Sequence, residues 1–206
     1  MRYIDLTHTV ADGMPVYPGD PPVRLAPVAA IERDGYSNHE ITTGMHAGTH
    51  IDAPLHMLAG GARISDMSVA AFFGRGRLID ARGAGLVRPE LLSPSRAGHG
   101  DIVLVLTGFS DRFGDPTYYG DYPEISEAFA AGLVERGVKM LGLDTPSPDR
   151  APFRVHKLLL ANGILIIENL TNLAALVNAA AFDVVALPAK FAADAAPARA
   201  VAIIAA

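Results

Sequence analysis

The chain has neither cysteine nor tryptophan among its 206 residues. Without cysteine there is no disulfide scaffold, no thiolate zinc site, no iron–sulfur cluster and no cysteine nucleophile. Any bound metal must therefore be held by imidazole and carboxylate. Positive charge is also sparse: 17 Lys and Arg against 22 Asp and Glu leave a formal net charge of −5. No basic cluster is present that would neutralise a phosphate backbone, so no nucleic-acid partner is expected. No apolar run approaches the roughly 20 residues that span a bilayer. Asp5 falls where a signal peptide needs its apolar stretch, which makes the cytoplasm the expected location and excludes a membrane partner. Two catalytic fingerprints are missing as well. Gly108-Phe-Ser110-Asp lacks the second glycine of a serine-hydrolase elbow, and Arg82-Gly-Ala-Gly85 lacks the third glycine of a nucleotide loop.

What is present is enough for one well-filled domain over residues 1–206, since half of the residues are hydrophobic. Strand-like segments recur at 2–6, 23–31, 36–45, 77–80, 101–109, 139–144, 164–170, 182–190 and 198–204. The continuous apolar runs within 101–107 and 164–168 suit strands covered on both faces, which predicts an α/β layer structure. Helices are predicted over 66–73, 88–92, 125–136, 152–161 and 172–177. Gly137 and Gly163 serve as stop signals, and Pro152 sits where a first-turn proline is tolerated. The alanine-rich end is predicted to finish in a strand, because Val201-Ala-Ile-Ile204 is too apolar to leave in water.

Seven histidines remain to be explained, and four lie between residues 39 and 56. The densest stretch is His46-Ala-Gly-Thr-His50-Ile-Asp52-Ala-Pro-Leu-His56. In an extended segment His50 and Asp52 point to the same side. Gly48 allows a bend between His46 and His50, and Pro54 fixes the direction of the chain before His56. Imidazole nitrogen and carboxylate oxygen are what a borderline-soft divalent cation takes when thiolate is absent. Downstream, His156 lies on the predicted 152–161 helix, and Glu168 interrupts an apolar strand. A lone carboxylate there needs a counter-charge or a metal, unless it faces solvent at a strand edge. Single histidines are more often surface or core residues than ligands, and His8, His39 and His99 receive no role. Asp20 is read as a turn residue, and Asp144 as either a turn cap or a pocket residue.

The same eleven residues resemble the HxGTHxDxPxH signature of the metal-dependent cyclase family, which includes bacterial kynurenine formamidases and isatin hydrolases. Pro15-Val-Tyr-Pro-Gly-Asp20 resembles the family's aromatic-Pro-Gly-Asp loop, and Gly142-Leu-Asp-Thr-Pro-Ser147 its Asp-Thr-Pro-Ser turn. His156 and Glu168 match its distal ligand pair at the same twelve-residue spacing, and Leu187-Pro-Ala-Lys190 also fits. The likeness thus covers nearly the whole chain. It implies His46, His50 and Asp52 on one metal ion, with Asp52 bridging to a second held by His156 and Glu168. The ions would be zinc, or manganese as reported among relatives. His56 would be the proton donor or acceptor and not a ligand. The implied fold is a single compact α/β domain of the swivelling β/β/α type, with a mixed sheet and flanking helices, assembled as a homodimer or homotetramer.

The resemblance further implies metal-dependent hydrolysis of an aryl formamide such as N-formyl-L-kynurenine, giving an arylamine and formate. Cyclic amides, lactones or a polyketide-type cyclisation on the same site are the alternatives, and a non-catalytic metal-binding protein is a third. Formamidases carry a tryptophan in the N-terminal loop where this chain has Tyr17, which keeps a ring face for an aromatic substrate and adds a hydroxyl. The short length favours the formamidase type over the longer isatin hydrolase type.

Overall fold

The computed structural model describes residues 1–205. From the N-terminus the chain forms β1 (Arg2–Asp5), β2 (Arg24–Ala29), the single-turn α1 (Ile31–Asp34), β3 (Asn38–Thr42) and the three-residue β4 (His50–Asp52). It continues through β5 (Phe73–Asp80), β6 (Leu86–Val87), α2 (Leu92–Ser95), β7 (Ile102–Leu106) and β8 (Glu124–Ile125). The last third holds α3 (Glu127–Glu135), β9 (Met140–Leu143), α4 (Arg154–Ala161), β10 (Leu165–Glu168), β11 (Phe182–Pro188) and β12 (Ala195–Ile204).

The main sheet is mixed and runs β1-β12-β11-β5-β7-β9-β10-β4, with β4 pairing back onto β12. That last pairing closes seven strands into a barrel, and β1 lies along β12 as an extra strand. The β5, β7, β9 and β10 pairings are parallel, and the others are antiparallel. The α/β class and mixed sheet expected from the sequence are therefore present, with closure of the sheet as the organising feature.

Alternation along the strands sorts their side chains into two cores. Ile51, Ile102, Leu104, Met140, Leu165, Ile167 and Val184 belong to the cluster that fills the barrel. Val103, Val105, Leu141 and Ile166 point the other way, onto Phe129, Leu133 and Leu159 of the two longer helices. A period of two therefore explains why 102–106 and 165–167 read as unbroken apolar runs. The alanine-rich C-terminal segment follows the same logic: Ala196, Ala198, Ala200 and Ala202 face the barrel interior, where larger side chains from β9 and β11 occupy the space. Gly142 is needed inside for the same reason, because a Cβ there would stand 2.6 Å from a Leu104 methyl.

Three predicted helices are corrected. The 66–73 and 172–177 segments form only short 3-10 turns, at Ile64–Asp66, Val69–Phe72 and Leu173–Leu176, and 88–92 forms one at Pro89–Leu91 that runs on into the single-turn α2. Each apolar stretch is too short to repay a helical nucleus, and Phe73 starts β5 instead. The 125–136 and 152–161 segments are helical from Glu127 and Arg154. Ser126 caps the first by accepting from the Phe129 amide. The 23–31 and 36–45 strands pair with each other as a separate hairpin, and β3 is exposed along its length. No helix is long and apolar enough to cross a membrane among the described residues.

Candidate metal centre

β4 carries the centre because it is paired on both edges. His50 stands opposite Glu168 of β10 and Pro197 of β12, and Asp52 stands opposite Ile166 and Ala195. Ile51 between them enters the barrel, so His50 and Asp52 share the outer face with Glu168. His156 reaches the same place from the buried face of α4, where Val155, Leu159 and Leu160 pack on the barrel wall. His46 and His56 come from the segments just before and after β4. The six residues singled out from the sequence are thus brought together.

Distances within the cluster are short. His46 Nδ1 lies 3.0 Å from Asp52 Oδ1, and His50 Nε2 lies 3.4 Å from the same oxygen and 3.3 Å from Glu168 Oε2. His156 Nε2 is 3.1 Å from Glu168 Oε1 and 3.8 Å from Asp52 Oδ2. Two trios have ligand atoms within 4.8 Å of one another: His50, Asp52 and Glu168, and His46, Asp52 and His56. Asp52 belongs to both.

The remaining ring nitrogens are engaged in ways that fix which atom faces the cluster. His50 Nδ1 donates to the Gly48 carbonyl at 2.9 Å, leaving Nε2 with its lone pair. His156 Nδ1 contacts an Asp149 carboxylate oxygen at 2.5 Å, while the other Asp149 oxygen accepts from the Val155 amide. A carboxylate behind the imidazole is the usual support of a metal-ligating histidine. At the opposite end one oxygen of Asp194 lies 2.9 Å from His46 Nε2 and 3.3 Å from His56 Nδ1.

Despite this crowding, His50 Nε2 and both Asp52 oxygens are buried without a hydrogen-bond partner. A carboxylate with two orphaned oxygens at zero exposure would cost several kcal/mol unless a cation neutralised it. Nitrogen and oxygen donors converging on those atoms fit a divalent ion of the zinc or manganese kind. Without an ion, charge coupling is strong. Burial pulls the His50 imidazole down, but Asp52 and Glu168 outweigh it and hold it well above its ordinary value. Burial alone would raise Asp52, yet His50 and His46 keep it well below the usual carboxylate range. Burial holds the His56 imidazole below its ordinary value.

Glu168 owes its direction to the next residue. Asn169 is left-handed, with φ of 55°. Its side chain donates to the Gly48 carbonyl and accepts from the Tyr118 hydroxyl, while its carbonyl accepts from Thr49 Oγ1. These bonds hold the uncommon backbone and tie β10 to the loop before β4. A cavity of about 190 Å³ opens over the cluster. Tyr17, Tyr119, Met57 and Phe153 form its walls with Asp20, and His46, His56, His156 and Glu168 form its floor. Tyr17 meets Tyr119 edge-on at 5.6 Å. Asp20 closes a turn onto Tyr17 through its amide, as expected, and also lines the cavity. Asp144 is a turn anchor: its carboxylate accepts from the Thr107 amide and hydroxyl and the Gly108 amide.

Asp149, Asp194 and Asn169 were not picked out from the sequence. Each is a single polar residue outside any dense motif. The only hints were position, Asp149 seven residues before His156 and Asp194 just ahead of the last strand.

Comparisons with known proteins agree with this arrangement. The kynurenine formamidase of Bordetella pertussis is 34% identical over 97% of both chains. Among solved structures, isatin hydrolase A from Labrenzia aggregata bound to benzyl benzoate superposes with a TM-score of 0.87 at 25% identity, over 98% of this chain and 93% of that one. A potential metal-dependent hydrolase with cyclase activity gives 0.84 at 28% identity, over 100% and 98%. The Cyclase profile itself matches residues 4–150, a span that holds Tyr17 and the whole His46–His56 segment. With a match over most of its length, and a relative aligned end to end, the chain belongs to the Cyclase family.

Proposed function

We propose that this protein is a hydrolase that opens the amide of an aryl formamide, with N-formyl-L-kynurenine as the substrate that suits it best. The observation that carries the reading is the pair of orphaned Asp52 oxygens beside His50 Nε2, buried against the His46, His156 and Glu168 side chains that floor an aromatic-walled cavity together with His56. His46, His50 and Asp52 would hold one divalent ion; Asp52, His156 and Glu168 would hold a second, each being zinc or manganese. Ions held there would supply Lewis acidity to a carbonyl and make a neighbouring water more acidic.

The chain's own groups do the rest. Tyr17 and Tyr119 offer ring faces and edges to an aryl group, while Met57 and Phe153 keep bulk water from its flank. His56 is the proton carrier: it takes a proton from the attacking water and delivers it to the departing aniline nitrogen. The carbon–nitrogen bond breaks, the water oxygen goes to the formyl carbon, and formate and the arylamine leave. Hydrolysis of N-formyl-L-kynurenine before and after chelation, with metal content measured on the same sample, tests this. Metal present with no turnover of this substrate would remove the formamidase reading.

The likeness to isatin hydrolase A favours a second reading on the same site, a cyclic amide or lactone substrate. Rates on isatin and simple lactones, measured beside the formamide, separate the two. Assignment to the swivelling β/β/α fold type and to the cytoplasm rests on the sequence. Assembly into a homodimer or homotetramer is supported by the β2–β3 hairpin, whose turn and strands expose Val28, Ile31, Tyr36 and Ile41. An isolated two-stranded hairpin is marginal in water. A monomer by light scattering would remove the assembly.

A further inference from the structure

We propose that Asp194 is a positioning residue that aims His56 at the reacting bond and keeps it apart in role from His46. The proposal rests on the hydrolytic reading above. A single oxygen, Asp194 Oδ2, meets the Nε2 of His46 at 2.9 Å and the Nδ1 of His56 at 3.3 Å. The two rings lie 4.2 Å apart, tilted by 41°. Both rings line the cavity, so a shared carboxylate decides which nitrogen of each ring carries the proton.

With Nε2 of His46 donating to Asp194, its Nδ1 lone pair points at Asp52, 3.0 Å away. With Nδ1 of His56 donating to the same oxygen, its Nε2 keeps the lone pair that proton transfer needs. One carboxylate thus assigns two neighbouring imidazoles to opposite tasks through opposite ring nitrogens. A carboxylate behind a general-base histidine acts in this way elsewhere, and its amide replacement imposes the wrong tautomer.

The backbone holds Asp194 where this requires. Its carbonyl accepts from the Ala53 amide at 2.9 Å, and the next residue, Ala195, pairs with Asp52. The carboxylate is therefore anchored beside the strand that carries the cluster, behind the His46 and His56 rings, while its side chain stays partly exposed. Its neighbours leave it free to serve the rings: the chain around it is Ala192-Ala-Asp194-Ala-Ala196, with no competing donor side chain.

Asp194→Asn is the test, compared on an amide, N-formyl-L-kynurenine, and on an activated ester, p-nitrophenyl acetate. Both substrates need the attacking water deprotonated, but only the amide also needs its leaving nitrogen protonated. Metal is supplied in excess, because Asp194 also backs His46; the expected result is then full metal content, KM within about 3-fold, a kcat loss of roughly 10²-fold on the amide and about 10-fold on the ester. In the background of His56→Ala the same change should cost little more, because both act in one step. Equal losses on both substrates, full additivity with His56→Ala, or a metal site that stays empty in excess metal would each overturn the proposal. Wild-type turnover of N-formyl-L-kynurenine reports separately on the substrate reading. If only esters are cleaved, phenyl acetate against p-nitrophenyl acetate supplies the same leaving-group contrast.

Discussion

His50 and Glu168 face each other directly across the β4–β10 pairing, with His50 Nε2 3.3 Å from Glu168 Oε2. A cross-strand register, and not a local motif, thus joins the near half of the centre to the far half. Slipping β10 by one residue would turn Glu168 into the barrel and Ile167 out of it.

Asp52→Asn should remove bound metal and activity together, with turnover down by more than about 10³-fold. Chelation should lower the Tm of the wild type, because a ligand bound only to the folded state stabilises it, and leave the variant unmoved. Elemental analysis and thermal melts with and without chelator check both halves. Full metal occupancy in the variant would mean that Asp52 is no ligand.

Asp149→Asn should weaken metal binding by about 10- to 100-fold while turnover at saturating metal falls far less. The reason is that Asp149 touches the far nitrogen of His156 and the Val155 amide, and so orients the ring without reaching the cavity. Metal titration monitored by activity separates affinity from rate. A turnover loss that excess metal does not relieve would count against this.

Removing the metal should give a distinctive pH profile. Burial pulls His156 down, but Asp149 and Glu168 outweigh it and push it up to about 10. His50 is likewise raised, by Asp52 and Glu168 against burial. A raised histidine contributes stability that is complete below its unfolded value of 6.5 and is lost as pH climbs through the folded value. Asp52 and Glu168 are lowered, so their contribution holds above 3.8 and 4.5 and fades in acid. Chelated protein should therefore melt highest near about pH 5–6.5 and lose Tm steadily toward pH 10. Metal must displace those protons, so its affinity should rise from pH 6 to 8. A chelated Tm that climbs between pH 6.5 and 10 would contradict this account.

Gly61→Ala should damage the site from outside it. A Cβ at Gly61 would lie 2.6 Å from the Pro54 carbonyl carbon and 2.7 Å from the Leu55 nitrogen, both backbone atoms of the turn that delivers His56. That turn must shift, at a cost of about 1–3 kcal/mol. Turnover should fall with metal retained. Gly60→Ser serves as the control, since nothing lies near its Cβ position and only its positive φ is strained. Equal activity in wild type and Gly61→Ala would show that the turn yields without moving His56.

The cluster was legible because His46, His50, Asp52 and His56 crowd one short segment, and Glu168 stands out as a charge in an apolar strand. Strand positions were legible where alternation was masked by burial on both faces, as at 102–106. What could not be read was closure: nothing local to Ala195 or Asp52 announces that they pair. Asp194 was invisible for the same reason, since His46 and His56 lie far away in the chain, and Asp149 because it sits in the loop before α4, outside the helical pattern that carries His156. The short 3-10 turns misled because their apolar residues are spaced as in a helix but end within one turn.

The pairing of β12 with β4 also bears on how the molecule is made. The His46–His56 segment is synthesised early, yet it cannot take its final form until a strand beginning at Ala195 arrives to flank it. Contacts of such long sequence separation form late and slowly. A nascent chain would thus carry its histidines and acidic groups loosely until the final strand docks, and competence would then arrive in one step. Cleavage just before β12 should accordingly silence the enzyme while leaving every histidine in the chain.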